Sequence, residues 1–386
     1  MLESLLDGIF NGISIGSVLL LAALGLAIVF GLMGVINMAH GELMMLGAYT
    51  TFVVQNGFKA LGAPWSDFYI FFALIAAFIV TALVGLLLER GVVRYLYGRP
   101  LETLLATWGV SLILQQFIRS VSWQFAAGVG VFCLLFFGAL WLISRRPDFE
   151  QIRGKAIAIM LPLSGAISLV VSNLLGQTYK FAVTLPWFGT QGVDVTAPKW
   201  LRGGLPLGGY QLPYTRVFII ALTILCLFAV FWFLNRTVWG LRIRAVTQNR
   251  SMSACLGIPT QKVDALTFAI GSGLAGVAGC AVSLLGSVSS NTGQSYIVDT
   301  FMVVVIGGVG KLVGSIVAAA TIGIISYVVG SNALAPLVEF SPFLQGLLEF
   351  FATASMAKVF VFALIVIFLQ FRPAGLFPQK GRTVDA

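Results

Sequence analysis

Charge is scarce in this chain and histidine nearly absent. Of 386 residues only 10% are charged, one is histidine and four are cysteine. A soluble domain carries ~25% charged and ~45–50% apolar residues; here 59% are hydrophobic and mean hydropathy is +0.98. That balance excludes an ordinary soluble fold and predicts an all-α, polytopic transmembrane helical bundle. Cys133, Cys226, Cys255 and Cys280 lie far apart, with no CxxC, so neither a zinc site nor a disulfide framework is expected. A phosphate loop is missing too. The nearest stretch, "IGGVGKLVG" (306–314), has Val305 in place of the first Gly and Leu312 where Ser or Thr would hold magnesium. No GxSxG occurs. The sequence therefore assigns no catalytic residue, cofactor or metal, and an enzyme reading has no positive support. The formal charge of +9 comes from basic residues scattered in short loops, which speaks against nucleic acid as a partner.

What the chain does have is long apolar runs. At ~20 residues per span, candidates are 8–33, 38–56, 67–89, 102–122, 125–144, 156–175, 214–234, 264–286, 311–330 and 356–371, about ten in all. The run 297–309 is too short to span and reads as a re-entrant or broken segment, which must be covered by protein or water. The N-terminus has Glu3 and Asp7 and no basic region ahead of its apolar run. It reads as the first membrane helix rather than a cleavable leader. Loops 89–101, 145–155 and 235–262 and the tail 372–386 hold 15 of the 23 Lys and Arg residues. The excess of positive charge places them in the cytoplasm, the N-terminus outside and the C-terminus inside. The stretches 176–213 and 331–355 then fall outside. No extramembrane segment is long enough for a core of its own, so residues 1–386 read as a single transmembrane domain.

Small residues recur at helical spacing. Gly8, Gly12 and Gly16 share one face, as do Gly271, Ala275 and Gly279, which predicts close helix crossings. Asn11 and Ser14 form a polar strip on the first helix. "AIVFGLMGVINMAHG" (27–41) and "VVVIGGVGKLVGS" (303–315) share an aliphatic run followed by Gly-x-x-Gly. Paired Gly-interrupted segments of this kind flank the path in many transporters.

Two stretches carry a family resemblance. "WGLRIRAVTQNRSMSACLGIPTQKVDALTFAIGSGLAGVAG" (239–279) looks like the coupling region of an ATP-binding cassette (ABC) importer permease. It shows a short helix, Ala245 to Cys255, followed by Leu256-Gly257-Ile258-Pro259. With "GLMGVINMAHGELMMLGAY" (31–49), the chain resembles the branched-chain amino acid permeases of the LivH type. Within that family, "LGSVSSNTGQSYIVDTFMVVVIGGVGKLVGS" (285–315) is similar to permease subunits of urea ABC transporters. The resemblance covers roughly 1–122 and 210–375. It implies a bacterial inner-membrane permease with a second permease subunit, two cytoplasmic ATPases and a periplasmic binding protein as partners, embedded in membrane lipid and moving substrate by alternating access. The hairpin 125–175 departs from the family pattern and reads as an added peripheral pair.

The expected substrate is urea, which needs hydrogen-bonding groups and no counter-ion; few charges in the apolar runs could pair a zwitterion. Branched-chain amino acids or short amides remain the alternative, and a self-contained channel or ion-coupled carrier the rival from another class. Substrate-path candidates by side-chain type are Asn11, Ser14, Asn37, His40, Asn291, Thr292 and Gln294. Candidates for ATPase coupling are Gln248, Asn249, Arg250, Gly257 and Pro259. Arg250 is expected to pair with a carboxylate of the ATPase, and Gly257 to end the coupling helix. His40 and Glu42 are two apart and share no helix face, so they are not a natural acid–base pair. The orientation puts residues 34–41 near the cytoplasmic ends of the first two helices, with Asn37 capping the second. Capping and gating, a substrate-path role and proton coupling remain open for His40.

Overall fold

A backbone in hydrocarbon must satisfy its own hydrogen bonds, so apolar runs free of charge become helices. The computed structural model describes residues 2–62, 65–145, 149–178, 187–188, 192–207, 210–331, 354–373 and 375–377. Its helices are α1 (Leu2–Ile28), α2 (His40–Leu61), α3 (Tyr69–Gly91), α4 (Pro100–Ser120), α5 (Trp123–Ser144), α6 (Phe149–Thr178), α7 (Tyr214–Arg236), α8 (Val238–Gln248), α9 (Arg250–Cys255), α10 (Thr260–Ser283), α11 (Thr292–Gly307), α12 (Leu312–Gly330) and α13 (Ala354–Phe371). A small hairpin, β1 (Gly204–Leu207) with β2 (Tyr210–Pro213), precedes α7. Among the described residues, eight helices are long and apolar enough to cross a membrane. The chain is a polytopic helical membrane protein. Of the expected outside stretch 331–355, residues 332–353 lie outside the described residues, as do 378–386 of the tail.

Two compact units are present, 1–112 with 194–386, and 113–193. The first is built around α1 and α10. In each, 83% of the apolar window is buried, against 28% in α3 and 22% in α7, so these two are the core and the others its wall. Lipid is as apolar as leucine, so cohesion must come from close packing. The glycine stripes supply it. A Cβ on Gly12 would meet Ile324 Cα at 2.6 Å, and one on Gly16 the Ala319 carbonyl at 2.7 Å; Gly271 closes on Val29 and on the Gly25 carbonyl, and Gly279 on Met44. Gly8 is looser, with Val328 at 4.0 Å. The paired Gly-interrupted segments also meet, Gly31 lying against the backbone of Gly310.

In the second unit α5 and α6 pack side by side. Ser168 Oγ donates to the Gly128 carbonyl at 2.6 Å and Ser172 Oγ to that of Gln124 at 3.3 Å. Only 6% of either apolar window is buried.

Candidate functional site

The first helix does not end cleanly. α1 passes into a π turn, Val29–Met33, and Gly34 closes it at φ 68°. Residues 34–39 then run without helix to α2. Where α2 begins is fixed by His40, whose Nε2 lies 3.0 Å from the Ala22 carbonyl. At 1.5 Å per residue, Ala22 is about 16 Å up α1 from Met33. Six extended residues reach about 20 Å, enough for the return. The chain therefore climbs back into the bundle before α2 starts. Gly34 and Val35 stay at the end of the first helix, as expected, and only the later part of 34–41, ending at His40, moves to the level of Ala22. Counting basic residues gives the side of a loop and not its depth.

Non-helical backbone at that depth must be covered, and it is: Val35, Asn37 and Ala39 are buried. Met38 N donates to Thr107 Oγ1 of α4 at 3.1 Å. Asn37 Oδ1 accepts from Ala39 N at 3.1 Å and so braces the loop. It does not cap α2, whose N-cap residue is Ala39 with no side-chain cap bond. His40 and Glu42, both fully buried, face different neighbours. Ser111 Oγ of α4 donates to Glu42 Oε1 at 3.1 Å.

The second broken helix arrives at the same place. α11 is 16 residues long, about 24 Å, too short to span. Its first turn packs on that of α2: a Cβ on Gly41 would strike the Gly293 carbonyl, and one on Gly293 would meet Glu42 Oε2 at 2.6 Å. Two helix N-termini, each half-positive, thus converge around one buried carboxylate. Beside the start of α11 is a hollow of about 270 Å³ walled by Val282, Leu285, Ser287, Ser289, Thr292 and Ser295. Ser289 N donates to Thr292 Oγ1 at 2.9 Å, shaping this turn.

Gly41 and Gly293 thus meet one residue beyond His40 and Thr292, while His40 itself faces α1 and Asn37 braces its own loop. Asn291 and Gln294, flanking Thr292 and Gly293, are exposed. Asn11 and Ser14 are buried elsewhere along α1, with Asn11 Nδ2 donating to Tyr327 Oη at 3.0 Å. Thr107, Ser111 and Gly293 were not among the sequence candidates. Their only signal is their position opposite the α2 loop, which a linear reading lacks.

At the other end lies the coupling-type loop. One helix from Ala245 to Cys255 was expected; instead the chain breaks at Asn249, whose extended backbone separates α8 from α9. The cause is local: Asn249 Oδ1 accepts from Met252 N at 2.9 Å, so it is an N-cap. Gly257 closes α9 at φ 79°, with Gly257 N donating to Ala254 O and Ile258 N to Ser253 O, a Schellman motif. Pro259 immediately precedes α10. Gln248, Asn249, Arg250, Gly257 and Pro259 are exposed, and so are the apolar Met252 and Leu256.

Arg250 finds its carboxylate within the chain. Its Nη2 donates to Asp264 Oδ2 at 2.5 Å, and its guanidinium lies 4.7 Å from the Tyr97 ring centre. Arg94 pairs with the buried Glu89 of α3 at 3.3 Å. These groups line a cleft of about 480 Å³ with Met33 and Gln261. Burial, with Asp264 and Glu89 nearby, pushes the Tyr97 phenol well above its usual range, so it stays protonated. α9 is thus tied to the foot of α10 and to Tyr97 in the connection between α3 and α4.

Comparison with known proteins follows this geometry. Residues 8–369 match the family described as the branched-chain amino acid transport system/permease component. The branched-chain amino acid permease BraD of Pseudomonas aeruginosa is 24% identical, over 96% of this chain and 95% of its own. LivH of Escherichia coli is 23% identical, over 96% and 94%. The ribose import permease RbsC of Bacillus subtilis is 28% identical over 42% of this chain and 52% of its own. No solved structure matches.

Proposed function

This chain belongs to the permease-component family of branched-chain amino acid transport systems, and from that premise we propose that it is the membrane subunit of an ABC importer for branched-chain amino acids. The observation that carries the mechanism is the capped, exposed α8–α9 element tied through Arg250 to α10 and to Tyr97 in the α3–α4 connection. Separate ATPases, two per complex, would push on this element. A second permease subunit completes the path, and a periplasmic binding protein delivers substrate from outside an inner membrane. Rocking at the α2–α11 junction would open the path to each side in turn. The chain itself makes and breaks no bond.

A second reading keeps the mechanism and replaces the substrate by urea. It rests on the resemblance of 285–315 to urea-transporter permeases and on the hydroxyl-lined hollow, which suits a neutral polar solute. Competition decides between them. In proteoliposomes holding the complete complex and ATP, unlabelled leucine is expected to suppress labelled leucine uptake, with urea at equal concentration leaving it unchanged. Labelled urea uptake that thiourea suppresses and leucine does not would move the assignment to urea.

A further inference from the structure

We propose that the groove between α1, α11, α12 and α13 is a transient subsite for a zwitterionic amino acid, with Asp299 and Lys358 as its two ends; this rests on the amino-acid reading above. Lys358 Nζ of α13 donates to Asp299 Oδ2 of α11 at 3.3 Å. Asp299 sits mid-way along α11, and Lys358 about one turn from the start of α13. Asp299 is about 12 Å along α11 from Gly307, and Lys358 about 20 Å along α13 from Phe371. Leu376 N, just beyond α13, bonds the Ile306 carbonyl at 2.7 Å, so these two helix ends lie together. The ion pair therefore lies about 12–20 Å from those ends, within the ~30 Å thickness of a bilayer core. Charges at such depth are costly and face protein or water, and they mark substrate paths. The Lys358 side chain is 53% exposed and that of Asp299 15%, so the pair looks into the groove.

The groove has the right size and the right walls. Its volume is about 450 Å³, within the ~300–1,000 Å³ of small-molecule sites. Ile15, Leu19, Ile322, Val361 and Phe362 give it an apolar side, and Tyr296 stands beside the pair. At 3.3 Å the pair is longer than the ~2.7–2.9 Å of a tight charge-assisted bond. An entering amino acid can take over both halves, its carboxylate going to Lys358 and its ammonium to Asp299. Every charge keeps a partner throughout, and the branched side chain meets the apolar wall. Urea has no charge to exchange.

The test is equilibrium binding of labelled leucine to the purified complex without binding protein, alongside leucine uptake by the complete system. Leucinamide, which lacks the carboxylate, and 4-methylpentanoate, which lacks the ammonium, serve as competitors. Wild type should bind leucine saturably and both competitors at least tenfold more weakly. Lys358→Met should weaken leucine at least tenfold and erase its advantage over leucinamide. Asp299→Asn should do the same relative to 4-methylpentanoate. The exchange Asp299→Lys with Lys358→Asp should recover leucine binding. Size-exclusion chromatography reports assembly. Leucine uptake by wild type, with no saturable binding or with binding the variants leave unchanged, overturns the subsite and spares the amino-acid reading. Variants that fail to assemble and are not rescued by the exchange also overturn it, since the pair would then be a structural tie. Absence of leucine uptake by wild type overturns the amino-acid reading and the ligand together.

Discussion

Gly257 shows how far one residue can be read from its neighbours. A Gly followed by an apolar residue and Pro, after a short helical run, announces a left-handed cap, and the backbone has φ 79° there. Nothing lies within 4 Å of a Cβ added at this position. The cost of a side chain is therefore conformational alone, about 1–2 kcal/mol for a left-handed residue. Gly257→Val is expected to leave insertion and assembly intact while lowering substrate moved per ATP hydrolysed severalfold; Gly257→Asn, which tolerates this region, should stay close to wild type. Equal coupling ratios for all three would show that the cap carries no motion. Asn249 carried a comparable local signal, an N-cap three residues before Met252, and the expected continuous helix overlooked it. Asp299 and Lys358 carried none. They lie 59 positions apart, and only the folding of α13 against α11 turns two isolated charges into a site.

Among the elements, apolar length was legible and depth was not. The short run that became α11 could be seen to fall short of a span, because helical rise per residue is fixed. The return of residues 34–39 into the bundle could not, because it depends on His40 meeting Ala22 and on Thr107 covering the loop. The coupling element lies between these cases. Its helices are local, but its anchorage through Arg250 to Asp264 and Tyr97 is tertiary. Arg250→Glu would set a third carboxylate beside Asp264 and Glu89. ATP-dependent uptake should fall by about tenfold, and pairing the change with Asp264→Arg should restore most of it, as expected for residues in contact. Normal assembly with normal uptake in the single variant would rule this loop out as the coupling element.

The whole molecule brings together the N-terminal turns of α2 and of the short α11, and an exposed element anchored to α10 and to Tyr97. That division fits a machine whose energy enters at one end and whose substrate passes at the other. In the proposed function the work is supplied by separate ATPases, and the sequence has no phosphate loop of its own. The most direct measurement is uptake of labelled leucine into proteoliposomes, made with the complete complex and with this chain alone. The complete complex should take up substrate only with ATP, and stop when its ATPases lose their catalytic carboxylate. Undiminished uptake by the isolated chain without ATP would contradict the account and identify a self-contained channel or carrier.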